Sequence, residues 1–293
     1  MFNAIRKRLL SSKIQKTHRF HNLFEEHGSV LINSTENGVS YTARTTAFAT
    51  ATGITDATIL GALNVFDLDI TANGIDVKLK ALYPFVGGTS STCKYNFMNP
   101  LDTNAAFRLD FFGGWTFSST GALPNGVNGF ADTFLDPFAE LTANDNHISV
   151  YCRTNDALNN VPIGASDNSG QLNLLQMNII ANSALYYYSG ELVTELTSAL
   201  ADAKGFFTGT TRAINDRKTF KNSTQQQSLT SSIATIYPNF NVTLGPRNSD
   251  NSPSQYSSIE LALASIGDGL TDTDVTNYYN AVQTLQTSLS RQV

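Results

Sequence analysis

The residues able to do acid–base chemistry are few. Beyond position 36 the only glutamates are Glu140, Glu191, Glu195 and Glu260. Glu191 and Glu195 stand four apart in SGELVTELTSALADAKG (Ser189 to Gly205), which reads as an acidic helix capping or connecting strands. That spacing puts both on one helical face, where a solvated acidic surface is favoured over a glycosidase-type carboxylate pair. His18 and His21, with His27 nearby, have the spacing of a shared metal site on a helix. Their basic surroundings favour contact with negative partners instead. Asp132, Asp136 and Asp145 lie near turns and are the candidates for calcium, set against the ordinary use of Asp in turns and caps. No other cofactor is expected. The triplet Tyr186, Tyr187, Tyr188 and the single tryptophan, Trp115, are the candidates for stacking on a sugar, because amphipathic aromatics suit recognition surfaces. On a strand successive side chains alternate, so only one side of the triplet meets a ligand. Core packing is favoured for Trp115, and the tyrosines stand equally for core and interface.

The elements that must position these residues read as short strands. Charged residues make up 15% of the 293, against about 25% in ordinary domains, so Ser, Thr, Asn and Gln must supply the polar surface. This suits an extracellular or virion-type β protein better than a cytosolic enzyme. From Ile75 to Arg153, pieces such as KYNFMN, AAFRLDFFG, WTFSS, GFADTFL and HISVYCRT are of strand length and are separated by turn residues. Strands recurring about every ten residues predict a sandwich or jelly roll. FFTGTTRAI, KTFKNS and FNVTLG continue the pattern, while residues 223–232 and 245–255 read as exposed loops. Residues 31–74 read as a linker or extended β segment, with a tight turn at Asn73-Gly74. At the C-terminus Val275, Tyr278, Val282, Leu285 and Leu289 have helical spacing. Thr271 and Asp274 form a capping box, and Arg291 falls in the last turn. Cys93 and Cys152 fit neither a metal site nor a CxxC pair and read as buried thiols.

Charge is distributed unevenly. Six of the 19 Lys/Arg fall in the first twenty residues and no acid precedes Glu25; the other thirteen against 24 acids leave the body near −11. Residues 1–30 therefore read as a basic arm, with Phe2, Ile5, Leu9 and Leu10 near one helical face. Arg6, Lys7, Arg8, Leu9, Lys13, Ile14, Lys16 and Arg19 are the candidate anchoring residues. The segment lacks the uninterrupted apolar core of a secretory signal and has some features of an organellar transit peptide. No apolar run approaches the length that spans a bilayer, and recognition of nucleic acid is not expected.

The order LYPFVGG…YNFMNPLDTNAAFRLDFFGGWTFSSTGALPNGVNGF…HISVYCRTN…IGDGLTDTDV resembles laminin-G/concanavalin-like jelly-roll domains. The likeness is greatest to the form in bacteriophage structural proteins of the Bacteroidota-phage type. It covers residues 75–293, and its most specific parts are Gly113-Gly114-Trp115-Thr116, the Asn/Gly-rich loop and the start of the last helix. The acidic segment near 190–204 departs from the pattern. The resemblance implies a mainly β, concanavalin-like antiparallel sandwich in a virion structural protein: a spike, fibre, penton-associated or other capsid- or tail-attached component. Other virion proteins and further copies of the chain are the implied partners. The alternative is a carbohydrate-binding module for host surface glycans, and a more remote one is a glycoside hydrolase. The hydrolase signature Glu-x-Asp-x-x-Glu is absent, as are GxSxG, HExxH and a P-loop. The chain reads as a non-enzyme.

Overall fold

Two helices stand where the sequence predicts an extended linker. The computed structural model describes residues 40–293 except 143, 157, 159, 168–172, 192–194 and 231–235. Helix α1 is Ala43–Thr52 and α2 is Ala57–Ala72. The Asp56 carboxylate caps α2 by accepting from Thr58 N–H at 2.8 Å and Ile59 N–H at 3.0 Å. Leu60, Leu63, Phe66 and Ile70 form one buried stripe at helical spacing. The β-branched residues that suggest strands here are overridden by that stripe and cap. Asn73-Gly74 ends this helix rather than turning a hairpin, with Gly74 left-handed at φ 64°. These helices belong to the compact unit that runs from Arg44 to Val293.

The strands follow in order: β1 Leu79–Tyr83, β2 Asp110–Phe112, β3 Trp115–Ser118, β4 Gly121–Pro124, β5 Phe130–Asp132 and β6 Asn146–Cys152. Next are β7 Ile163–Asp167, β8 Asn173–Ile179, β9 Ser183–Glu191, β10 Leu196–Leu200, β11 Gly205–Ala213 and β12 Asp216–Lys221. The remainder are β13 Thr224–Leu229, β14 Thr243–Leu244, β15 Arg247–Ser249, β16 Ser252–Ser254 and β17 Leu261–Gly267. Short helices α3 Ser90–Cys93 and α4 Pro137–Glu140 interrupt them, and α5 is Asp272–Ser288. The first sheet runs β13-β12-β11-β6-β17-β4-β3, with β1 also on β17; the second runs β10-β9-β8-β7-β14-β5-β2, with the β15–β16 hairpin on β7. Every pairing is antiparallel except β15 with β7. The fold is the mainly β jelly-roll sandwich that the strand spacing predicts.

The core lies between the sheets. Ile148, Val150, Phe207, Ala264 and Ile266 of the first sheet meet Ile163, Leu175, Met177, Leu185 and Tyr187 of the second. Gly209 on β11 is required by this packing, because a Cβ there would lie 2.3 Å from the Tyr187 ring. Cys93 and Cys152 are buried free thiols.

The outer face of the first sheet is sealed by helices. Tyr278 of α5 packs edge-on against Phe206 of β11, with centroids 5.2 Å apart, and lies 6.5 Å from Phe66 of α2. Strands β6 and β17 are consequently buried along their whole length, on both faces. The capping box at Thr271 and Asp274 is present as the sequence predicts. Arg291 departs from expectation. It lies beyond the helix, fully buried, and donates to the carbonyls of Pro84, Phe85 and Ala262.

Three further segments differ from the sequence reading. Where one helix is expected from Ser189 to Gly205, the described residues form the end of β9 and strand β10, held by cross-strand pairs such as Leu196 with Tyr187. Burial of Leu196 and Leu200 in the core outweighs the helical propensity of its Glu, Leu and Ala. KYNFMN is a loop, not a strand: the Asn96 side chain bonds Leu82 N–H, Lys80 C=O and Ala106 C=O, and so takes the place of a ladder. Both expected loops, 223–232 and 245–255, contain strands, β13 in the first and β15 with β16 in the second. The basic arm lies outside the described residues.

Candidate functional site

The second sheet has an outer face that no described helix covers, and two of the three candidate aromatics lie there. On β9, Leu185 and Tyr187 point into the core, so alternation sends Tyr186 and Tyr188 to the opposite face. Trp115 is not with them. It sits on β3 of the first sheet, packs edge-on against Phe111 at 5.1 Å, and donates its indole N–H to Phe130 C=O. Trp115 is a packing residue.

Cross-strand register aligns a row of polar side chains on this outer face. Gly164 of β7 pairs with Gln176 of β8, and Gln176 pairs with Tyr188 of β9. The Tyr188 hydroxyl donates to Glu195 at 2.5 Å, just before β10. In the next row Asn178 pairs with Tyr186, and Tyr186 with Thr197. At the other end, Thr243 of β14 pairs with Gly164, while Asn248 pairs with Ala165 and Ser249 with Ser166 in the parallel β7–β15 ladder; Arg247, just before that ladder, lies within electrostatic reach of Tyr188. The missing side chain at Gly164 matters, since a Cβ would lie 2.4 Å from that of Gln176. The row therefore runs Thr243, Gly164, Gln176, Tyr188, Glu195, with the Arg247 cation near its β7 end. It places a hydroxyl, an amide, a phenol and a carboxylate across about 19 Å of sheet, at about 4.8 Å per strand.

Several of these groups are buried with their bonding capacity unused. Gln176 is 3% exposed; its amide N–H₂ donates to Asn178 at 2.8 Å, but its Oε1 has no partner. Ser166 Oγ, Arg247 Nε, Ser254 Oγ and Gln255 Oε1 are likewise buried and unpaired. Native structures leave few such atoms, because each costs about 1–3 kcal/mol. Burial raises the Tyr188 phenol well above its ordinary pKa, and the hydrogen bond to Glu195 adds to this, so Tyr188 stays a neutral donor. Arg247 is partly desolvated, which lowers its pKa, yet its guanidinium makes no hydrogen bond or ion pair among the described residues.

The expected metal candidates have other work. Asp132 accepts from Phe134 N–H and from the Asn241 amide; Asp136 caps α4 through Phe138 N–H; Asp145 accepts from Gly269 N–H. They do not converge, and among the described residues no three His, Cys, Asp or Glu side chains form a metal cluster. Glu191 ends β9 and Glu195 stands just before β10, so the two are not placed on a shared helical face; Glu195 accepts from Tyr188 and Thr197. A cleft of about 420 Å³ is lined by Asp56, Thr58, Gly87, Gly88 and Ser288 among others, and shares no residue with the row. The Asp56 carboxylate in it is already occupied in capping α2. The anchoring candidates between Arg6 and Arg19, and His18, His21 and His27, fall outside the described residues. No described helix is long and apolar enough to cross a membrane.

The sequence reading missed Gln176, Asn178 and Arg247. The signal for the first two was present: Leu175, Met177 and Ile179 alternate with Gln176 and Asn178, the pattern of a strand with one polar face. Nothing local marks Arg247, which sits in a stretch of turn formers.

Comparison with protein-family models and with curated proteins finds no match. Among solved structures there are matches at low identity. Domain 4 of AbnA, a GH43 extracellular arabinanase from Geobacillus stearothermophilus solved with arabinotriose, is 14% identical with a TM-score of 0.47, over 69% of this chain and 98% of that one. A chain of botulinum neurotoxin type C, whose uptake into cells depends upon interaction with two ganglioside molecules, is 13% identical with a TM-score of 0.47. This alignment covers 72% of the present chain and 53% of the toxin chain. The Ruminococcus gnavus IT-sialidase CBM40, bound to α2,3 sialyllactose, is 12% identical with a TM-score of 0.38, over 46% of this chain and 82% of its own.

Proposed function

We propose that this chain is a glycan-binding module that holds its ligand on the outer face of the second sheet. The observation that carries this reading is the row itself: Tyr186 and Tyr188 share a face with Gln176 and Asn178, and Gln176 Oε1 is buried without a partner. A sugar presents C–H faces to aromatic rings and hydroxyls to amides, which is the chemistry this surface supplies. The reading is recognition without bond cleavage. Glu195 and Asp132, the carboxylates at the two ends of the face, are five strand intervals apart, about 24 Å at ~4.8 Å per strand. Glycosidase pairs stand roughly 5–9.5 Å apart. The test is a glycan-array screen followed by calorimetric titration of the best ligand. Replacing Tyr186 by Ala should weaken binding at least about tenfold, the size of effect expected at a central contact, with an unchanged melting temperature. No binding to any glycan, or binding indifferent to Tyr186, would count against the site.

A second reading concerns the whole chain and rests on the charge asymmetry. A basic arm with Leu9 and Ile14 among its cations, ahead of an acidic body, suits an anchor on another protein of a virion, with the sandwich projecting from the particle. Deleting residues 2–27 should leave the melting transition intact and abolish incorporation into particles. Normal copy number in particles would place the anchor elsewhere.

A further inference from the structure

The row has one group that a neutral sugar does not answer. Arg247 opens β15, one residue before its ladder with Ala165 and Ser166 of β7, and lies within electrostatic reach of Tyr188. Its Nε is buried and unbonded, and the guanidinium has no ion-pair partner among the described residues. Tyr188 and Asp250 are the groups within electrostatic reach, and neither bonds it. By contrast Arg291, which is fully buried, is held by three carbonyls. Arginine's planar fork matches a carboxylate with two parallel N–H donors, and a charge-assisted pair of that kind gains most where water is already partly excluded. Ser254 Oγ, across the hairpin from Arg247, and Ser166 Oγ are further unused hydroxyls on the same part of the surface.

We propose that the ligand of this face is an acidic glycan, a sugar carrying a carboxylate, and that Arg247 is the residue that selects it. The proposal rests on the glycan-binding reading above and adds the charge. Gln176 Oε1 accepts a sugar hydroxyl, the tyrosines take the ring faces, and Arg247 receives the carboxylate. Glu195, at the opposite end of the row, would repel that carboxylate and so fixes the direction in which the sugar lies.

Matched acidic and neutral ligands test this. Oligogalacturonate would be titrated beside its carboxyl-reduced form, and sialyllactose beside lactose, at two salt concentrations. At least one acidic member should bind roughly ten- to a hundredfold more tightly than its neutral partner, the usual worth of a charge-assisted bond. Its affinity alone should fall as salt rises. Arg247→Gln should bring the acidic ligand down to the level of its neutral partner measured on the same variant, and the melting temperature should stay unchanged, because the guanidinium makes no hydrogen bond or ion pair among the described residues. Arg247→Lys should keep part of the preference, having the charge without the fork. Equal binding of acidic and neutral members overturns the choice of ligand and leaves the glycan site standing. Loss of the preference in Tyr186→Ala but not in Arg247→Gln overturns the role of Arg247. No binding of any ligand overturns both readings.

Discussion

A chain truncated after Leu270 is expected to show no cooperative thermal transition. The deleted segment contains α5, whose Val275, Tyr278, Val282 and Leu285 are fully buried against the first sheet and α2. Each is worth roughly 1.5–3 kcal/mol of burial, so their loss rivals a typical net stability of about 5–15 kcal/mol. The truncation also removes Arg291. Its guanidinium is fully buried, with its pKa lowered to about 10 by burial, and it satisfies the carbonyls of Pro84, Phe85 and Ala262. Substituting Arg291→Met in the full chain isolates that part. Three buried carbonyls would lose their donor, a cost of roughly 3 kcal/mol or more. Chemical denaturation should give a lower midpoint with little change in slope. A truncated chain that melts like the full one would show that α5 is an appendage.

Acid should begin to destabilise the protein well before its carboxylates are protonated. His147 on β6 is fully buried beneath α5, and burial lowers its pKa to about 4. Its Nδ1 lies 2.6 Å from the Asp268 carbonyl and Nε2 lies 3.3 Å from the Ser265 hydroxyl. These partners fit the neutral tautomer that donates from Nδ1 and accepts at Nε2. The unfolded chain takes up a proton near pH 6.5 and the folded one near 4, so the unfolded state binds more protons in between. Stability is therefore full above pH 6.5 and falls as pH drops toward 4, by about 3 kcal/mol in total. Asp274 acts lower on the scale. Its burial is outweighed by hydrogen bonds from Lys78 and Thr271, which keep its carboxyl below the usual range. Its contribution is present above the ordinary Asp pKa and is lost only as pH falls beneath that. Thermal melts of His147→Gln should lose most of the slope between pH 6.5 and 4 and keep the steeper fall below it. An unchanged slope in that variant would assign the acid sensitivity to other groups.

Both expectations concern the helix-covered side of the sandwich, and the contrast between its two outer faces organises the molecule. On the first sheet, Phe206, Tyr151 and His147 turn outward beneath α2 and α5 and serve stability. On the second, Gln176, Asn178, Tyr186 and Tyr188 turn outward with no helix above them among the described residues. Residues that pack beneath helices and polar residues that face away from the core without one are thus separated by which sheet carries them.

The sequence by itself determined whatever depends on residues close in the chain. The capping box of α5 is set by Thr271 and Asp274, three positions apart, and forms as read. The strands of HISVYC and GFFTGTTRA follow from β-branched and aromatic runs between turns, and the opposed facing of Tyr187 and Tyr188 follows from the two-residue period of a strand. Where burial at a distance decides, local pattern failed. Residues 57–72 look β-prone yet form a helix, because their apolar stripe meets α5 more than two hundred residues later. SGELVTELTSAL looks helical yet is extended, because Leu196 and Leu200 fill the core beside β9. The site is of the same kind. Thr243, Gly164, Gln176 and Tyr188 come from four strands spread over 80 positions, and only the register of β14, β7, β8 and β9 sets them in one row. Register is fixed by the inward-facing residues of those strands, so the arrangement of the outer face is a consequence of how the core packs.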